Sequence, residues 1–374
     1  MSARLDHLPD VPPTSVPSTG VPPVEALSSA ARGKDVAASP RALRLGFLGL
    51  GWIGRTRLDA ICACAGEALS VAVVADADAQ RRRAAAEAYP GAVAVASLEE
   101  MLERQIDGVV IATPNAGHAA QAIACLASGV PVFCQKPLAT NAADAARVIA
   151  AARSTDRLLG IDWCYRYVDG MPELRQRIRA GELGEITAID LAFHNAYGPD
   201  KAWCHDRRLA GGGCLLDLGV HLIDLASWLQ EAPRMRLVSS ALYAGGLPLH
   251  GTAPTAVDVP VEDLAYAELR QESGAIVRLA CSWHAHAGCD ALIEARIFGT
   301  RGGAAWRNVA GSFYDFHVDV FHGAARERIG TCPDEWGPRA LHEWLQRLRH
   351  DPSFDPAIAS TCRDAELIDE MYRA

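Results

Sequence analysis

A short apolar run, Leu45, Phe47 and Leu48, leads straight into Gly49-Leu50-Gly51-Trp52-Ile53-Gly54 and then a helical pattern to about Ala65. Strand, glycine turn and helix in that order leave few folds open. In such a turn the first glycine permits the tight bend. The second lets backbone N–H groups approach a pyrophosphate, and the third lets helix and strand pack closely. Those positions are Gly49, Gly51 and Gly54, with Trp52 and Ile53 opening the helix whose N-terminus would face the anion. A second strand, Leu69 to Ala75, ends in Asp76, 27 residues after Gly49. A carboxylate there can accept both ribose hydroxyls and repels a 2′-phosphate, which favours NAD; Arg81, Arg82 and Arg83 can offset the repulsion and keep NADP open.

Strand and helix continue to alternate. Ser97 and Glu100 have capping-box spacing before a helix to Gln105, and Gly108 to Ala112 reads as a buried strand. The class is therefore α/β, a Rossmann dinucleotide-binding domain over about residues 43–165. Thr113, Pro114 and Asn115 follow that strand at its carboxyl end, where open α/β sheets bind ligands, and His118 follows on the next helix. All four are candidate cofactor contacts. The strand Val130 to Cys134 leads to Gln135-Lys136-Pro137, ahead of a helix capped by Thr140 or Asn141. Lys136 thus stands where a strand meets the cleft and can donate to a substrate oxygen.

A chain of 374 residues, 50% hydrophobic, is long enough for two domains and a cleft between them. Its formal charge of 36 − 45 = −9, with scattered cations, argues against nucleic acid. Eleven cysteines, with no pair of CxxC elements, read as reduced thiols of a cytoplasmic protein, and no metal site is expected. Cys62 and Cys64, two apart on a helix, point away from each other. Residues 1–42, rich in Pro, Ser and Ala, are expected to be a disordered tail. Neither a secretory signal nor a run of 18 or more apolar residues is expected, so no membrane association is anticipated.

The glycine turn, the run Asp107-Gly108-Val109-Val110-Ile111-Ala112-Thr113-Pro114-Asn115 and Gln135-Lys136-Pro137 occur in the order seen in Gfo/Idh/MocA oxidoreductases, a family this sequence resembles over about residues 43–374. That family includes inositol dehydrogenases and glucose-fructose oxidoreductase. In it the lysine of a Glu-Lys-Pro motif is catalytic or positions substrate, often before a cis proline. Lys136-Pro137 match those positions, whereas Gln135 replaces the usual glutamate and removes a negative neighbour.

The second half carries Gly211-Gly212-Gly213 and a helix with Asp217, His221, Asp224 and Trp228, similar to the family's Asp-x-x-x-His helix. Spacings of four, seven and eleven place the four on one polar face, expected to look into the cleft, while Leu215, Leu218 and Leu222 line another. The resemblance implies that His221 exchanges the proton of a substrate hydroxyl or carbonyl while hydride moves to or from the nicotinamide, with Lys136 and Asp217 assisting. In Trp163-Cys164-Tyr165-Arg166-Tyr167, Cys164 stands where many members have asparagine. Arg166, Trp203 and Asp206 are candidate substrate contacts, with His205 beside them. Alternation in Ala265 to Arg270, Ile276 to Trp283 and Leu292 to Phe298 predicts hairpins in an open, largely antiparallel sheet of a C-terminal α+β domain, residues 166–374. Its free face and the resemblance suggest a homodimer or homotetramer. Helices are expected at Pro338 to Arg349 and Thr361 to Ala374. The leading expectation is NAD(P)-dependent hydride transfer with a small sugar, cyclitol or related polyhydroxy substrate. A dinucleotide-binding regulator and an NAD-assisted glycosidase are the alternatives.

Overall fold

The computed structural model describes residues 41–64, 69–231, 233–249, 251 and 259–374. The expected tail, save residues 41 and 42, and the predicted helix end at Ala65 lie outside them.

Six β-strands alternate with five helices in the first half: β1 (Leu43–Leu48), α1 (Trp52–Cys64), β2 (Leu69–Ala75), α2 (Ala79–Ala88), β3 (Val93–Val95), α3 (Leu98–Leu102), β4 (Gly108–Ile111), α4 (Asn115–Ala127), β5 (Val132–Cys134), α5 (Ala142–Thr155) and β6 (Leu159–Ile161). The strands form one parallel sheet in the order β3-β2-β1-β4-β5-β6. Such a sheet reverses its winding between β1 and β4, and ligands sit beyond the carboxyl ends there. The central strands are buried on both faces, which is why Gly108-Val109-Val110-Ile111 reads as unbroken rather than alternating. Ser97 and Asn141 cap α3 and α5 as their positions predict.

The second half begins with α6 (Met171–Arg179), β7 (Ile186–Asn195) and α7 (Arg207–Ala210). A π-helical turn, Leu215–Gly219, then runs into α8 (Val220–Leu229). Next along the chain come β8 (Met235–Ala244), β9 (Leu247–Leu249), β10 (Leu264–Gln271), β11 (Ile276–Ser282), β12 (Ala291–Gly299), β13 (Gly303–Asn308), β14 (Phe316–His322) and β15 (Ala325–Gly330). With β7 they form a nine-stranded sheet, β15-β14-β13-β12-β7-β11-β10-β8-β9, antiparallel throughout except where β11 pairs with β7. The predicted β10–β11 hairpin has Leu264 opposite Ser282. Alternation along β12 buries Ile293, Ala295 and Ile297 and exposes Leu292 and Phe298.

The last helices, α9 (Arg339–His350) and α10 (Ser360–Arg373), go to different places. On α9, Trp344 packs on Phe133, with ring centroids 5.7 Å apart, in the space left by Gly108 and Gly160 of the parallel sheet. On α10, Ser227 of α8 donates to Asp364, and Asp369 accepts the N–H of Ala142 at the start of α5. The run Arg207–Leu229 is, contrary to the sequence expectation, long and apolar enough to cross a membrane; nearly all of it is buried, and its apolarity is that of a core helix. Among the described residues ten cysteines are free thiols, with Cys125, Cys134, Cys214 and Cys281 buried and Cys62 exposed.

Candidate active site

The carboxyl ends of the parallel strands open on a cleft of about 1920 Å³ shared with α8 and the second sheet. Ordinary small-molecule sites span about 300–1,000 Å³. There is room for a dinucleotide and a second ligand.

The wall nearest β1 is backbone. Gly49 has φ +93°, and a Cβ on Gly54 would stand 2.0 Å from the Gly49 oxygen, so helix and turn touch there. A Cβ on Gly51 would meet nothing within 4 Å; the space above it is the cradle that a pyrophosphate fits. Trp52 and Ile53 line this cleft, Trp52 largely exposed. Asp76 also braces the turn: its Oδ2 accepts the Leu50 N–H at 2.7 Å and its Oδ1 the Asp78 N–H at 2.8 Å. Arg81 Nη1 lies 3.7 Å from the same carboxylate, a cation beside the expected ribose position. The glycine cradle, the N-terminus of α1 and Asp76 fit a bound dinucleotide.

The next strand ends supply Thr113, Pro114, Asn115 and His118, all on the cleft wall. Pro114, not Asn115, precedes α4 as its cap residue, and Asn115 Nδ2 instead donates to the Ala210 oxygen at 2.9 Å, tying the two halves together. His118 is buried. Its ring nitrogens lie 2.7 Å from the Pro137 oxygen and 2.8 Å from the Thr113 oxygen. Burial pushes its pKa down and Lys136 adds to that, while the two carbonyls pull the other way.

Lys136 precedes Pro137 across a cis peptide bond. Its Nζ donates to the main-chain oxygen of Asp217 at 2.7 Å and to Asp217 Oδ1 at 2.9 Å. The other carboxylate oxygen of Asp217 accepts from Trp283 Nε1 at 3.2 Å. Lys136 and Asp217, 81 residues apart, thus meet with a tryptophan indole holding the far side. His221 lines the same wall, edge-on to Tyr165 with centroids 4.8 Å apart and to Trp163 at 6.1 Å. Among the described residues, neither of its ring nitrogens makes a hydrogen bond. Burial, then the Lys136 charge, lowers its pKa well below the usual histidine range, so the imidazole is neutral at ordinary pH. A neutral ring with a free nitrogen can accept a proton.

The polar face predicted for this helix splits. The π turn at Leu215–Gly219, with its wider i→i+5 bonding, rotates the helical turns beyond it. Asp217 and His221 therefore reach the cleft, whereas Asp224 and Trp228 do not line it. Asp224 is buried in a two-pronged pair with Arg166, whose Nε donates to Asp224 Oδ2 at 2.9 Å. The guanidinium also lies over Trp163 and Trp228. Arg166 does not line the cleft, and two of its N–H groups are spent on the Asp224 carboxylate, so it holds that buried charge rather than a substrate. Asp206 does not line the cleft either: it caps α7 through the Arg208 N–H and pairs with the Arg208 side chain. Trp203 does line it.

Three groups have no motif to announce them. Glu262 is fully buried, and its Oε1 accepts from the N–H groups of Gly213 and Leu215 and from the Tyr372 hydroxyl, at 2.8, 3.0 and 2.8 Å. A Cβ on Gly213 would stand 1.9 Å from the main-chain oxygen of Glu262, an approach that only glycine allows. Asp162 is buried with Arg57 at 2.7 Å and accepts from Gln135, the residue next to Lys136. Trp283 carries a weak signal, an aromatic closing an alternating strand.

Two family models match this chain: an oxidoreductase family with an NAD-binding Rossmann fold over residues 43–162, and the GFO/IDH/MocA C-terminal domain over residues 171–305. Together they span well over half of it. The chain belongs to the GFO/IDH/MocA oxidoreductase family. Members similar to it include a putative UDP-kanosamine synthase oxidoreductase subunit of Amycolatopsis mediterranei, 32% identical over 67% of this chain and 71% of that protein. An inositol 2-dehydrogenase of Leifsonia xyli is 32% identical over 51% of this chain and 54% of its own length. The fold is that of a 3-ketoreductase from Actinomadura kijaniata solved with NADP and TDP-benzene, with TM-score 0.73, 21% identity and coverage of 88% of this chain and 96% of that one. This GFO/IDH/MocA protein is accordingly an oxidoreductase with an NAD(P)-binding Rossmann domain.

Proposed function

We propose that the protein transfers hydride between a nicotinamide cofactor and a carbinol carbon of a sugar, cyclitol or related polyhydroxy compound. The observation that carries this reading is the meeting of Lys136 with Asp217 at 2.9 Å beside a neutral His221 on the wall shared with the glycine cradle. A bound NAD would supply the hydride acceptor for the substrate carbon. His221 takes the hydroxyl proton, leaving a carbonyl; in reduction both transfers reverse. Lys136 donates to the reacting oxygen, and Asp217 holds the ammonium in place. Gly49, Gly51, Trp52, Ile53 and Gly54 hold the pyrophosphate, Asp76 the ribose, and Thr113, Pro114 and Asn115 the nicotinamide side, with His118 bracing that loop; Trp203 contacts substrate. The dinucleotide domain runs to about residue 165.

The test is His221→Ala and Lys136→Ala, each assayed for NADH binding and for turnover. Expected is binding within about threefold of wild type, with kcat/KM down roughly 10²–10⁴-fold. Unchanged turnover in both variants defeats the assignment. Because His221 stays neutral, the oxidation rate should remain level as pH falls through about 6.5, where an ordinary histidine base would already be protonating.

Exposed Val238, Tyr266, Leu292 and Phe298 on the second sheet support homo-oligomerisation, which light scattering on the purified chain tests. The free thiols support a reducing, cytoplasmic compartment.

A further inference from the structure

Beyond Lys136 and His221 the cleft wall is aromatic. Trp203, Trp283, Phe313 and Tyr314 line it, and Tyr314 is 61% exposed at the mouth, with Leu209 41% exposed nearby in the same lining. Trp283 is fixed beside the reacting centre by its bond to Asp217, and Phe313 is backed by Tyr197 at 6.1 Å. Flat apolar side chains facing a site are platforms for the faces of sugar rings and aryl groups.

The charge on this wall points the same way. Every Lys and Arg among the described lining residues already has a carboxylate: Lys136 has Asp217, Arg57 has Asp162, Lys201 has Asp200 at 2.9 Å, and Arg81 lies with Asp76 and Asp78 at the cofactor end. Asp334 is paired with Arg339, and Glu335 on the same stretch has no cation partner among the described residues. A helix N-terminus is the other usual holder of phosphate. That of α1 belongs to the cofactor, and the N–H groups opening the Asp217–His221 helix are filled by the buried Glu262 carboxylate. The start of α9 is preceded by Asp334 and Glu335. A nucleoside diphosphate would bring two negative charges to a wall with no uncommitted cation, and desolvating them unpaired is costly.

We propose that the substrate is an uncharged glycoside. The oxidised sugar ring lies at Lys136 and His221, and a neutral aglycone with a flat apolar face, a second sugar or an aryl group, stacks on the Trp203, Trp283, Phe313 and Tyr314 wall. This rests on the hydride-transfer reading and narrows its substrate class; the cleft volume accommodates such a ligand beside the dinucleotide.

The test uses the full chain with NAD and matched probes in the glucosyl and galactosyl series: free sugar, p-nitrophenyl glycoside, disaccharide and UDP-sugar. Nicotinamide absorbance gives kcat/KM, and tryptophan fluorescence of the NADH-loaded protein gives binding independently of turnover. Expected is at least a tenfold advantage in kcat/KM for the p-nitrophenyl glycoside or disaccharide over the free sugar, with UDP-sugar at or below it. In Tyr314→Ala and Phe313→Ala that advantage should shrink towards onefold. Better turnover or tighter binding of UDP-sugars overturns the proposal, as does failure of every glycoside to bind. Glycoside binding with no turnover by any probe upholds the aromatic subsite and defeats the hydride-transfer reading instead.

Discussion

The two walls of the cleft are made of different material. The cofactor wall is backbone: a turn with Gly49 at φ +93°, a helix N-terminus and a Gly54 with no space for a methyl group. The opposite wall is side chain on side chain, Lys136 on Asp217, Asp217 on Trp283, and the helix beneath them on Glu262 and Tyr372. A backbone wall is damaged by adding atoms, and a side-chain wall by removing them. The first recognises what every reaction of this class shares, and the second is free to differ with substrate.

The sharpest way to break that contrast is a pair of glycine variants. Gly54→Ala places a methyl carbon 2.0 Å from the Gly49 oxygen, and should cost more than about 3 kcal/mol or abolish NADH binding, read by thermal melting and cofactor fluorescence. Gly51→Ala, with nothing within 4 Å, should melt within about 1 °C of wild type yet bind NADH on the order of tenfold more weakly. If both behave alike, the cofactor wall is not built of backbone. On the other side, Trp283→Phe keeps a ring and deletes the N–H donated to Asp217. Hydrogen bonds to charged groups contribute about 1.5–3 kcal/mol, so kcat should fall by roughly tenfold or more with NADH affinity unchanged. A smaller effect separates stability from function. Burial, then the neighbouring Asp224, pushes the Asp364 carboxyl up to about 7. The folded state therefore binds a proton that the unfolded state releases near about 4, and stability is lost as pH climbs from the ordinary aspartate value to about 7. Asp364→Asn should raise Tm by a few degrees at pH 8, and by progressively less towards pH 4.

The backbone wall was also the legible one. A turn, its helix and the carboxylate after the next strand are set by nearby residues, so Gly49, Gly51, Gly54 and Asp76 could be placed from their order alone. Lys136, Asp217 and His221 were readable as candidates because each occupies a local motif, but their convergence was not, since 81 residues separate the first two. Arg166 and Asp206 misled because an arginine among tyrosines and an aspartate before arginines look alike whether they face a ligand or each other; Asp224 and Arg208 decide it. Glu262 has no local signature, because the groups it satisfies lie 47 to 110 residues away.

Tyr372 grips Glu262, and Glu262 grips the start of the helix that bears Asp217 and His221. During translation both walls wait for the C-terminus: Trp344 of α9 fills the space left in the parallel sheet by Gly108 and Gly160, and Tyr372 then anchors the helix that bears the proton-transfer residues. The chain emerges with its cofactor wall completed before its catalytic wall.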